Sequence, residues 1–302
     1  MKTLKIILAF MCLASTTYAQ TNETIKKKKY KISNAYILPM GSLQKDPSIS
    51  DANFKKLTEN SMLLKNQSLD DYKKHSNSRS FNSSIAFNIG ISKYNEQENN
   101  YNSSPEFRIG FTYSSNTIFT ANYQKEESKR IDTLTSNQTG NTIYYDSITR
   151  KNYSMYASSD QLMLDVSVLF RTNPKARWSL YGGIGVNAGS SINAFSHINY
   201  FEYSSNQFSS SYTNISGNNV SGQNSLGDKQ KNESIKMENQ IATGIYLPFG
   251  IDFRLGDKRE FFKRIHGFIE LRPYLNSTSV PELKTNFLTA GIKGGLGLRI
   301  NF

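Results

Sequence analysis

Cysteine is nearly missing from this chain. The single one, Cys12, lies within the first twenty residues. Behind it there is no disulfide framework, no thiolate nucleophile and no Cys metal site. Histidine is scarce as well, with three in 302 residues. No two have ligand spacing, so no metal site is expected. No run after residue 20 approaches the roughly 20 apolar residues of a spanning helix. The mean hydropathy of −0.53 agrees, which excludes a helical membrane protein. Proline numbers only 7 and tryptophan 1. No P-loop or dinucleotide fingerprint occurs, and no cofactor is expected.

What is present in quantity is aromatic and basic. There are 18 Tyr and 18 Phe, and the formal net charge is +12. Such aromatic content argues against disorder and for half-exposed strands. The basic balance suits a membrane surface and by itself does not indicate nucleic acid.

Residues 1–19 carry the pattern of a signal peptide. Lys2 and Lys5 precede an apolar stretch from Leu4 to Ala14, and Thr17 and Ala19 set a cleavage site after Ala19. Phe10 and Met11 before Cys12 do not suit lipidation. Residues 20–79 are polar and open on Lys26–Lys29 and Lys31. They are expected to form a basic periplasmic segment, either a solvated tail or a contact for anionic surfaces and a periplasmic partner. Asp51 to Gln67 suggests a short amphipathic helix through Phe54, Leu57, Met62 and Leu64.

From residue 80 a period of two sets in. Eight strands are expected, around residues 81–91, 107–113, 119–123, 162–170, 178–188, 241–253, 265–275 and 288–302. A Ser114-Ser115-Asn116 turn would separate the second from the third. Many reach the 9–11 residues that a tilted spanning strand needs. Short and long connections alternate, with 126–157 and 197–236 the longest, as transmembrane barrels have them. The fold class expected is all-β: a transmembrane antiparallel up-and-down β-barrel of eight strands, with ten the alternative. The competing fold is a soluble lipocalin-like barrel with the two faces exchanged.

One face of the strands is almost free of charge. The other carries Glu106, Arg108, Asp165, Arg171, Asp252, Arg254, Glu270, Arg272, Lys293 and Arg299. In a narrow barrel filled by its own side chains, these read as an interior charge network. A gated pore lined by the same residues is the alternative. Phe81, Phe107, Tyr123, Phe170, Trp178, Phe253, Phe287 and Phe302 stand near strand ends, where interfacial girdles form.

The alternating terminal segment Leu288 to Phe302, closing on Phe302, resembles the C-terminal signature of bacterial outer membrane β-barrel proteins. Tyr181-Gly182-Gly183-Ile184-Gly185-Val186-Asn187 is similar to strands of the small porin-like members. The resemblance covers residues 80–302. It implies an outer membrane location, contact with outer membrane lipids, and Phe302 as a signal to the barrel assembly machinery. It does not imply one activity. His197, beside Ser196 and near Glu202, is the one histidine placed for catalysis, and no motif supports it, so no catalytic residue is assigned. Loops rich in Tyr, Ser and Asn suit adaptable binding. A structural or surface-interaction role, by adhesion or ligand contact, is therefore expected. A narrow channel, an accessory barrel of a secretion system, and a lipid-modifying enzyme remain as alternatives.

Overall fold

The computed structural model describes residues 29–302, except 58, 60, 66, 76–78, 96–99, 136, 139–141, 174–175, 209–211, 214–218, 221–222 and 257. The expected signal peptide and Lys26–Lys28 lie outside the described residues.

Thirteen strands are described: β1 (Tyr30–Lys45), β2 (Lys73–His75), β3 (Arg79–Asn95), β4 (Asn100–Thr135), β5 (Thr142–Arg171), β6 (Trp178–Phe208), β7 (Tyr212–Thr213), β8 (Asn219–Val220), β9 (Gln223–Lys236), β10 (Ile241–Tyr246), β11 (Phe249–Arg254), β12 (Ile265–Val280) and β13 (Thr285–Asn301). Two short helices join them, α1 (Asp51–Leu57) and α2 (Glu260–Arg264). The staves β1, β3, β4, β5, β6, the β10–β11 pair, β12 and β13 hydrogen-bond in that order, all antiparallel. β13 then pairs with β1, with Ile37 opposite Leu298 and Leu43 opposite Ile292, which closes a ring of eight. A closed ring leaves no unpaired edge, the condition for strands in hydrocarbon.

The two faces are the reverse of a soluble protein's. Leu164, Val186, Ile245, Leu271 and Leu296 are exposed, while Glu106, Arg108, Asp165 and Glu270 are buried to 1% or less. So wide an exposed apolar band would not be tolerated in water. It is what a barrel in lipid requires, and it decides against the lipocalin-like alternative.

The total of eight stands, but its composition differs from the sequence reading in two places. Residues 30–45 are a barrel stave, not part of a segment preceding the barrel. Their alternation was hidden because Tyr36, Leu38 and Met40 point inward while Ile37 and Leu43 point outward, so both faces are apolar. Pro39 added a break signal. Conversely, Ser114-Ser115-Asn116 is not a turn. β4 runs through it, with a register shift just beyond, between Thr117 and Phe119. The polar triplet marks the point where the strand leaves the apolar band: Asn116 donates to Ser114 Oγ at 2.9 Å and to Gln161 Oε1 at 3.0 Å.

These two changes move the connections. The link between β3 and β4 lies at the end that carries Tyr30 and Phe302. Residues 46–78, between β1 and β3, lie at the opposite end. There they form a cap whose helix spans only Asp51–Leu57, not the expected Asp51–Gln67. Leu57 and Leu64 are buried, while Met62 is 92% exposed, so these positions do not share a face.

The stretches 126–157 and 197–236 are mostly paired strand rather than loop. β4 continues to Thr135, roughly 60 Å beyond Thr117 along the strand at ~3.3 Å per residue. β5, β6 and β9 accompany it as a projecting fin.

Candidate functional site

The ion pairs of the lumen join inward positions of five staves. Arg108 on β4 donates to both Glu270 carboxylate oxygens on β12, at 2.8 and 3.2 Å. Arg272 bridges Glu270 and Asp165, the latter at 3.3 Å. Nearer the terminal end, Arg171 lies 3.4 Å from Glu106 and 3.3 Å from Asp252. Asp252 also accepts from Arg299 at 3.1 Å and is 2.7 Å from His266 Nδ1. Of the ten charged residues expected inside, only Arg254 is not fully buried.

Four tyrosines, which the strand pattern did not single out, complete this network. Tyr36 lies beneath Arg108, Tyr181 beneath Arg171, Tyr246 beneath Arg272, and Tyr274 beneath Lys293, at 4.8–5.4 Å from cation to ring centre. Their hydroxyls donate to Glu106, Glu270, Asp165 and Gln44 respectively. Each ring thus meets a cation with its face and an acceptor with its edge. Inward glycines leave them room. A Cβ at Gly185 would strike the Tyr246 ring, and one at Gly250 the Tyr181 ring. The available signal was this pairing of inward glycine with inward aromatic on the neighbouring strand. Phe268 fits the same logic. It is buried against Tyr36, with ring centres 5.8 Å apart, and among Leu38, Met40, Ala86 and Leu169.

A cavity of about 10 Å³ lies between Met40, Thr112, Asp165, Tyr246, Tyr274 and Lys293. That is room for about one water.

Above the lumen lies a second core. Ile49, Leu57, Leu64 and Leu69 of the cap pack on Phe119, Tyr123, Tyr153, Met155 and Ile198 of the fin, and on Leu283 and Phe287. Tyr123 and Phe287 are therefore core residues here, not girdle residues. Phe81, Phe107, Phe170, Trp178 and Phe302 are exposed, and Phe253 is half-buried against Trp178. Phe302 closes the seam through its backbone N–H, which donates to the Ser33 carbonyl at 2.9 Å.

Polar contacts fasten the cap. Tyr123 donates to Asp51, which also pairs with Lys74 at 3.3 Å. β2 adds a short ladder to β4 at Asn122–Gln124. On β9, the Glu233 carboxylate accepts from Ser61 Oγ at 2.6 Å and from the Met62 and Leu63 amides at 3.0 and 3.2 Å. Burial pushes the Glu233 carboxyl up, but the Ser61 hydroxyl and the two amides outweigh it and hold it below the usual carboxylate range. A depressed folded-state value means that the stabilisation is present above the unfolded value and is lost as pH falls through the folded one. The cap is therefore expected to loosen only as pH falls below the ordinary carboxylate range. Glu233→Gln should show that looser state already at neutral pH, read as faster amide exchange at Met62 and Leu63.

His197 does not meet the partners expected for catalysis. Ser196 is fully buried on the opposite face of β6, and Glu202 shares that face, accepting from Tyr200 and Lys229. His197 instead stacks on Tyr156 at 4.7 Å and lies 2.8 Å from Ser234 Oγ. Burial lowers its pKa. Among the described residues no cluster of His, Cys, Asp and Glu could hold a metal ion.

A closed ring of eight antiparallel staves, apolar toward its surroundings and ionic within, defines a bacterial outer membrane β-barrel. No protein-family model and no curated protein matches the chain. Among solved structures it is similar to Neisserial surface protein A, with 9% identity over 89% of this chain and 97% of that one (TM-score 0.29). It is also similar to Ail, the attachment invasion locus protein of Yersinia pestis, solved with the heparin analogue sucrose octasulfate (12% identity, 90% and 100% coverage, TM-score 0.24). A third is the β domain of the Bordetella autotransporter BrkA (10% identity, 90% and 100% coverage, TM-score 0.23). The class rests on the ring and its reversed faces rather than on these likenesses.

Proposed function

We propose that this protein is a surface-recognition barrel. In this reading the ring is an anchor in the outer membrane, and the cap and fin meet an extracellular ligand. Tyr30, Phe302 and the short turns face the periplasm, while the cap and the fin stand outside. The observation that carries it is the contrast between the two halves. The lumen is filled by ion pairs across its width, whereas four strands continue well past the membrane. A channel has no use for that projection, and an anchor has no use for an open bore.

The fin's surface is suited to contact. Exposed Tyr144 carries Arg130 at 3.6 Å over its ring, and Phe201 and Ile131 are exposed beside charged neighbours. Its ion pairs, Arg150–Glu126 at 2.7 Å and Lys151–Glu127 at 2.9 Å, set a base on β5 against an acid on β4 and leave the surface mixed in charge. That favours a mixed polar and aromatic partner surface over a polyanion.

Two measurements test this. Cells displaying the full chain should bind members of a glycan and matrix-protein array, and cells whose fin is cut back, with Thr117 joined to Ser158 and Phe195 to Lys236 by short turns, should not. The purified barrel should carry no steady current in a planar bilayer. Binding that survives trimming, or a steady open conductance, would overturn the reading.

A further inference from the structure

The periplasmic turn between β11 and β12 is built differently from a plain connector. Its sequence, Leu255 to Arg264, holds four basic residues, Lys258, Arg259, Lys263 and Arg264, against Asp257 and Glu260. Glu260 is engaged by Lys263 at 2.6 Å. Lys258, Arg259 and Arg264 are exposed. Between them stand two aromatics that α2 does not bury: Phe261 is 67% exposed and Phe262 42%.

The turn is preformed. The Leu255 amide donates to the Ile265 carbonyl at 3.0 Å, the Lys263 amide to Arg259 at 3.1 Å, and the Arg254 amide to Arg177 at 2.9 Å. It is also continuous with the lipid-facing band. Phe249, Ile251 and Phe253 form the outward row of β11, and Leu255, 47% exposed, extends that row one step past the strand. Trp178, the only tryptophan in the chain, packs on Phe253 at 5.2 Å on the same rim. Aromatic rings at a bilayer boundary flanked by Lys and Arg match a surface with apolar depth and negative charge. Exposed phenylalanines have no counterpart in a wholly polar polymer.

We propose that this turn binds anionic phospholipid headgroups of the inner leaflet, with Lys258, Arg259 and Arg264 at the phosphates and Leu255 and Phe261 in the acyl boundary. The proposal rests on the orientation given under Proposed function. It makes this turn the periplasmic anchor of the barrel.

The full folded chain would be reconstituted in vesicles of phosphatidylcholine, with or without phosphatidylglycerol. Unfolding would be followed by Trp178 fluorescence and by gel mobility. Phosphatidylglycerol should raise the unfolding midpoint at low salt, and high salt should abolish the rise. The triple variant Lys258→Gln, Arg259→Gln, Arg264→Gln should keep its midpoint in phosphatidylcholine and lose most of the rise. Phe261→Ser should lower the midpoint in both lipids. An undiminished rise in the triple variant, or no rise in the native chain, would overturn the proposal. So would co-sedimentation with purified peptidoglycan that the triple substitution abolishes. The orientation is checked separately. A Lys258→Cys variant labelled on intact cells by an impermeant maleimide would place the turn outside and remove the premise, whatever the vesicles show.

Discussion

Replacing Glu270 with alanine is expected to cost the barrel about 3–5 kcal/mol of folding free energy, the range for removing one member of a buried ionic group. Glu270 accepts from Arg108 through two bonds, from Arg272 and from Tyr181 at 2.7 Å. Without it, two guanidinium groups that are 3% exposed or less lose the carboxylate between them. Burying a charge is tolerable only while it is paired. Urea unfolding in vesicles should show the loss, as should disappearance of the compact band on an unboiled gel. A double variant, Glu270→Leu with Arg108→Met, should recover much of the loss, because an apolar pair of similar volume avoids the desolvation penalty. If the double variant were worse than Glu270→Ala, the stabilisation would lie in hydrogen bonding to the rest of the network, not in charge compensation.

Phe119→Ala is expected to have an effect of similar size in a different place. Phe119 is fully buried beneath the cap, and its ring lies 5.1 Å from that of Phe287. Removing a buried phenylalanine costs about 3–5 kcal/mol. The loss should fall on the cap, since Phe119 lies beyond the apolar band and its neighbours Ile49, Leu57, Leu64 and Leu69 come from cap residues. The membrane ring should keep its heat-dependent gel mobility, while added protease should cut intact cells within residues 46–78. Global unfolding on this substitution would mean that cap and ring form one cooperative unit. Unchanged protease resistance would mean that the polar latches at Glu233 and Asp51 hold the cap without its core.

The membrane ring was legible in the sequence for a specific reason. In lipid the outward residues must be apolar, so a period of two survives along β5, β6 and β13, where most inward partners, such as Asp165, Ser167, Gly185, Asn187, Gly295 and Arg299, are polar, charged or glycine. It failed on β1, whose inward residues Tyr36, Leu38 and Met40 are as apolar as the outward ones. There the interior changes from ionic to apolar, and Phe268 is the answering residue on β12. Single-strand periodicity contains no information about what lies across the bore. The interior charges could be read from their alternation, but the stacking of each cation on a tyrosine could not, because it is made between different strands. The cap escaped for another reason. Its apolar residues, Ile49, Leu57, Leu64 and Leu69, are spaced irregularly, since they fill a mouth rather than line one side of a regular element.

The fin is not an appended module. β4, β5 and β6 pass from the apolar band into the fin without ending, each one a single polypeptide run held to its neighbours along its length. A tug on the tip therefore pulls along the staves, and the many cross-strand bonds would have to shear together rather than break in succession. A domain joined by a flexible tether would give way at the tether. In the proposed recognition role, tension on a captured partner would be delivered into the wall of the barrel, so a cell held by this protein in moving fluid would be held by the membrane-embedded ring itself.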